Sequence, residues 1–183
     1  MKTPALLVID VQNAIDDPVW GRRGQPGMEE AIVTLLGEWR KRRLPVVHIR
    51  HDSTDAKSPY RPGTRGNDFK PEVAPEPGEP VIDKRTNSAF IGTDLMDLLD
   101  ELQVGQLVLT GVLLENSVEA TARMAGNLGF EVVIPEDAVA SVDRVDRRGK
   151  HWPAEDVHAL TLAILDKEYA RVSDTRAVIE ALP

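Results

Sequence analysis

Five consecutive apolar residues, Ala5-Leu6-Leu7-Val8-Ile9, stop abruptly at Asp10. An unbroken apolar run of that length, without polar alternation, suits a strand buried on both faces, the environment of a parallel sheet covered by helices. The rest of the chain repeats the arrangement. Met28, Ala31, Ile32, Leu35, Leu36 and Trp39 recur on one helical face before Pro45, and Pro45 to Ile49 form the next strand. Val81 and Ile82 give a short strand ending near Lys84, followed by a helix from Thr93 that buries Leu95, Leu98, Leu99 and Leu102. Leu107 to Val112 make a further buried strand, a helix follows over about Asn116 to Leu128, and Gly129 stops it before the strand Phe130 to Ile134. Pro153 opens a helix bearing Val157, Leu160 and Ile164. Ala170 to Val172 form a last strand, and Asp174 caps a final helix to Leu182.

Strands alternating with helices imply right-handed crossovers. The expected fold is therefore α/β, a three-layer α/β/α sandwich around a central, mainly parallel, six-stranded sheet, with residues 1–183 forming one domain. Between about His51 and Pro80 the pattern lapses into a polar stretch holding six of the thirteen prolines (Pro59, Pro62, Pro71, Pro75, Pro77 and Pro80). A loop that long inside a compact domain is expected to cover or line a site.

Composition narrows the partners. With 22 Lys and Arg against 30 Asp and Glu, the net charge of −8 disfavours a phosphate backbone, and eight aromatics supply no stacking platform, so no nucleic-acid partner is expected. The densest basic run, Arg40 to Arg43, falls where a helix ends and cations suit the helix dipole. No apolar run approaches the roughly 18 residues of a membrane span, and no secretion signal precedes Asp10, so no membrane partner and a cytoplasmic location are expected. The absence of Cys removes disulfides, thiolate metal sites and a cysteine nucleophile.

Ligands of such sheets gather beyond the carboxyl ends of the strands. Asp10, Lys84 and Ser117 lie at three such ends, a carboxylate, an ammonium and a hydroxyl at a helix start whose N–H groups can hold an oxyanion. Each alone has an ordinary alternative: a loop cap, a solvated lysine, a helix-start serine. His48 and His51 with Asp52 invite a metal reading, but side chains three apart on a strand point to opposite faces, so no metal is expected. No dinucleotide or phosphate-loop pattern occurs, and no cofactor is expected.

Together, LLVIDVQNA (6–14), PVVHIRHDS (45–53), SPYRPG (58–63), VIDKRTNSAFIGTDL (81–95) and GVLLENSVEATARMAGNLGFEV (111–132) resemble the isochorismatase-like cysteine hydrolases, a family that includes nicotinamidases and streptothricin hydrolases. The resemblance implies that Asp10 is a general base, that Lys84 stabilises charge and pairs, partly buried, with Asp10, and that Ser117 stands where the family has its catalytic cysteine. It also implies a cis peptide between Val112 and Leu113, aiming the Leu113 and Ser117 N–H groups at a substrate oxygen, and an apolar pocket wall at Leu114, where the family has a small polar residue. The metal-ligand spacing of nicotinamidase-like members is missing, and the family geometry brings no histidine to Ser117. Trp20, Tyr60, Asn87, Phe90 and Trp152, in loops beside the strand ends, are the candidate substrate-binding residues.

The implied activity is hydrolysis of a C–N bond in a small, largely uncharged amide, lactam or ureide. A hydroxyl is a much weaker acid than a thiol, and three accounts of Ser117 stand open: a substituted nucleophile that leaves binding intact, a natural pseudoenzyme that binds or regulates, or a branch in which Asp10 acts as acid and base without covalent attack. A homodimer or homotetramer is expected from the resemblance and from helical apolar residues beyond one stripe, such as Met96 and Met124.

Overall fold

The computed structural model describes residues 3–183. Its centre is a sheet in which strands β1 (Thr3–Ile9), β2 (Val46–His51), β3 (Val81–Lys84), β4 (Val104–Val112), β5 (Glu131–Pro135) and β9 (Arg171–Ser173) lie in the order β3-β2-β1-β4-β5-β9, all pairs parallel. These are the six strands the apolar runs marked. A two-residue strand that the sequence did not mark, β6 (Val139–Ala140), pairs with the end of β4. Two further short strands, β7 (Arg144–Val145) and β8 (His151–Trp152), form a separate antiparallel hairpin.

Helices cover both faces, which is why β1 carries no polar side chain between Thr3 and Asp10. Leu6 and Val8 pack with Met28, Ile32, Leu35, Leu36 and Trp39 of α1 (Met28–Arg42) and with Val178 of α5 (Thr175–Glu180). Ala5, Leu7 and Ile9 face the other way, onto α2 (Leu95–Glu101), α3 (Glu119–Asn127) and α4 (Ala154–Leu165). The basic run closes α1, where Arg40 pairs with Glu76 and Glu79, and Lys41 and Arg42 pair with Glu38. Asp174 caps α5 through the Ala177 N–H at 2.7 Å.

The inward face of α4 differs from expectation. Thr161, Leu162 and Leu165 are buried, whereas Leu160 and Ile164 are 56% and 47% exposed. Residues 160, 161, 162, 164 and 165 include enough apolar side chains to draw two overlapping stripes, and periodicity alone does not choose between them. Leu102 likewise falls just after α2 and is exposed. Among the described residues, no helix is long and apolar enough to cross a membrane.

Strand order reverses between β1 and β4, so the crevice outside their carboxyl ends is the switch point where such sheets bind ligands. Backbone conformation at that point is unusual on both strands. Asp10 has φ +56°, in the left-handed region that non-glycine residues seldom occupy, and Gly111 has φ +107°. A β-carbon on Gly111 would collide with the Ile9 carbonyl across the β1–β4 pair. The expected cost of Gly111→Ala is therefore at least about 3 kcal/mol, combining a forbidden φ with a backbone clash. Denaturant unfolding checks this, and a variant with the parent midpoint would show that the close approach is dispensable.

Candidate active site

A cavity of about 170 Å³ opens at the switch point, lined by Asp10, Trp20, His51, Ser53, Asp55, Ser58, Tyr60, Asn87, Val112, Leu113, Asn116 and Ser117. That volume is below the range of drug-sized pockets, roughly 300–1,000 Å³, and suits a ligand of few heavy atoms.

Behind the lining residues Asp10, His51 and Ser117 lies the lysine that ends β3. Register places Lys84 beside His51 at the end of β2, and β2 lies beside β1, so the side chain reaches across β2 to Asp10. Lys84 is 1% exposed and Asp10 is 4% exposed, making this a fully buried ion pair where a partly buried one was expected. The ammonium donates to Asp10 Oδ2 at 2.7 Å, to the Thr86 carbonyl at 3.1 Å and to Ser117 Oγ at 3.1 Å. Asp10 Oδ1, the other carboxylate oxygen, is buried with no hydrogen-bond partner. Buried carboxylate oxygens are ordinarily satisfied, so this one is an unused acceptor on a residue that lines the cavity.

Ser117 is presented by a single π-helical turn, Leu114–Val118, between β4 and α3. One regular helix from Asn116 was expected, and the wider turn is the correction; such turns are rare and recur at functional sites. The peptide joining Val112 to Leu113 is cis, and Leu113 lines the cavity with Ser117. Leu114 does not form the expected pocket wall: it is fully buried in the core cluster that holds Val118 and Ala122.

The 51–80 segment contributes one wall, as its length suggested. Two buried amides hold it down. Gln12 Nε2 donates to the carbonyls of Asn67 at 2.8 Å and His51 at 3.2 Å, and its Oε1 accepts from His51 N–H at 2.8 Å. Asn67 Nδ2 donates to the His51 and Tyr60 carbonyls and to Asp52 Oδ1. Tyr60, 6% exposed, donates its hydroxyl to the Asp10 carbonyl at 3.3 Å, and Trp20 meets it edge-on while donating Nε1–H to the Ala14 carbonyl at 2.8 Å. Burial, reinforced by the Asp10 charge, pushes the Tyr60 phenol well above its ordinary pKa, so it remains a neutral donor.

Of the nine residues singled out by sequence, Asp10, Lys84, Ser117, Leu113, Trp20, Tyr60 and Asn87 come together here. Two do not. Phe90 stacks on Phe130 at 6.0 Å and packs against the core under α3, and Trp152 lies in the β7–β8 hairpin beneath the Lys150 ammonium. Both are aromatics in polar segments, a signal shared by pocket walls and outlying packing. His51, Ser53, Asp55, Ser58, Val112 and Asn116 complete the lining and were not among the candidate site residues. The histidines do divide between opposite faces of β2: His48 is buried against Glu79 Oε2 at 2.9 Å, while the Nδ1 of His51 stands 3.3 Å from the Lys84 ammonium.

Comparison with known proteins agrees with this fold. The isochorismatase domain model matches residues 4–176. The crystal structure of an isochorismatase-family protein from Chromobacterium violaceum superposes with a TM-score of 0.94 at 53% identity, covering 98% of this chain and 93% of that one. The isochorismatase family protein YrdC of Bacillus subtilis is 36% identical over 175 residues, 96% of this chain and 94% of the relative. A streptothricin hydrolase of Streptomyces noursei is 38% identical over 142 residues, 76% of this chain and 50% of the relative. A site assembled at the β1–β4 switch point, in a fold matched along nearly its full length, places this chain in the isochorismatase family of hydrolases.

Proposed function

We propose that the protein hydrolyses a C–N bond in a small, largely uncharged amide, lactam or ureide, with Asp10, Lys84 and Ser117 as the reacting set. The observation carrying this reading is the unpartnered Asp10 Oδ1, buried yet on a cavity-lining residue, beside a nucleophile position bound to the same lysine. Asp10 accepts the Ser117 hydroxyl proton as Oγ attacks the carbonyl carbon, and the backbone N–H groups of Leu113 and Ser117 receive the developing oxyanion. Asp10 then returns the proton to the leaving nitrogen, and water releases the acyl group by the reverse sequence. Lys84 holds the carboxylate and the nucleophile in register and offsets the negative charge.

Ser117 favours a second reading, a pocket that binds without turnover, because a carboxylate is a weak base for a hydroxyl. A panel of small amides, lactams and ureides, assayed for product and for ligand-induced thermal stabilisation, decides between them. Product formation that Asp10→Asn abolishes supports hydrolysis; stabilisation with no product from any compound supports the binding protein. Turnover by Asp10→Asn at the parent rate would remove Asp10 from the chemistry.

A further inference from the structure

The Lys84 ammonium has three N–H donors and four hydrogen-bonding neighbours. Asp10 Oδ2 and the Thr86 carbonyl can only accept, and they claim two. One donor remains for Ser117 Oγ at 3.1 Å and His51 Nδ1 at 3.3 Å. An ammonium has no lone pair, so it can hold His51 only while Nδ1 carries no proton, which makes the neutral ring the Nε2–H tautomer.

The ring is fixed in this position. Gln12 grips the His51 backbone from both sides, Asn67 takes its carbonyl at 3.0 Å, and the imidazole stands edge-on to Tyr60 with ring centres 5.7 Å apart. Its charged surroundings are Asp10 at the end of β1, Lys84 at the end of β3 and Asp52 next along the chain. Burial lowers the imidazole pKa below its ordinary value; Lys84 adds to that effect, while Asp10 and Asp52 oppose it without reversing it. The ring is accordingly neutral near pH 7.

We propose that neutral His51 is a positioning residue. Its Nδ1 lone pair shares the third ammonium proton with Ser117 Oγ, and this shared bond keeps Lys84 aimed along the edge between Asp10 and residue 117. Protonation would set an Nδ1–H against the ammonium, so the site fails as pH falls through the His51 pKa, below the ordinary 6.5. The inference deepens the proposed function and rests on its reacting set.

Two experiments test it, the first independent of turnover. Long-range ¹H–¹⁵N correlation on the parent protein should show His51 as the Nε2–H tautomer above pH 7; an Nδ1–H tautomer overturns the proposal. The second uses Ser117→Cys and reads alkylation of the introduced thiol by iodoacetamide across pH 5–8. Asn reproduces the position of Nδ1 and Gln that of Nε2, so His51→Asn should stay within about threefold of the Ser117→Cys rate and lose the His51 acid limb. His51→Ala and His51→Gln should each fall at least about tenfold, since a misplacement of 1 Å can cost about a hundredfold. Equal rates for the three variants, or rescue by Gln in place of Asn, overturn the assignment. If no amide is turned over but the tautomer and the Asn rescue hold, the hydrolase reading fails and the positioning role stands.

Discussion

Ser117→Cys is expected to hydrolyse at least one small amide about a hundredfold faster than the parent, within the range that activating a nucleophile by a positioned base supplies. The backbone is already shaped for the exchange. Position 117 sits on the π-helical turn, 5% exposed, with Oγ 3.1 Å from an ammonium that would stabilise a thiolate. Sulfur is larger than oxygen, but the side chain lines an open cavity, so little repacking is required. The measurements are turnover across the amide panel and labelling by a thiol probe at neutral pH, which Asp10→Asn should suppress. Activity present in the parent and unchanged by the substitution would instead assign the chemistry to Asp10 acting without covalent attack. Inactivity in both proteins, with ligand still bound, would identify a binding protein.

Much of the fold was legible because short apolar runs mark the central strands, unbroken over Ala5 to Ile9 in β1. A strand covered on both faces has no other way to satisfy its surroundings, and all six runs became strands of one parallel sheet. The site was legible to the same depth. Asp10 and Lys84 are single charges terminating apolar runs, and a chain-wide resemblance joined them to Ser117. What escaped detection depends on distances across the chain. Gln12 follows β1 by only a few residues, yet its role as a clamp exists only in its bonds to His51 and Asn67, 39 and 55 residues away. Among the aromatic residues near strand ends, Trp20 and Tyr60 line the cavity and Phe90 and Trp152 do not, because residue type does not encode which way a loop turns. From the sequence, His51 invites only a metal reading with His48 and Asp52. Its neighbour proved to be Lys84, a contact set by the β2–β3 register.

That register makes Lys84→Met the most destabilising substitution expected in the site. Were the lysine only partly buried, Met in its place would fold almost normally and weaken ligand binding alone. With Lys84 1% exposed and Asp10 4% exposed, removing the ammonium leaves a buried carboxylate whose Oδ2 has lost its 2.7 Å partner and whose Oδ1 had none. Breaking one side of such a pair costs about 3–5 kcal/mol, mainly the penalty of an uncompensated buried charge. Replacing both partners removes that charge, so Lys84→Met combined with Asp10→Leu should recover most of the loss although both variants are inactive. Equilibrium denaturation of the two single variants and the double variant gives the coupling energy directly. A near-zero coupling, or a Lys84→Met protein as stable as the parent, would mean that the carboxylate finds water in the folded protein, and the case for a desolvated base at Asp10 would fall with it. Strong coupling with loss of ligand-induced stabilisation in Lys84→Met would place the ion pair in both roles, holding the ends of β1 and β3 together and setting the charge that a substrate meets.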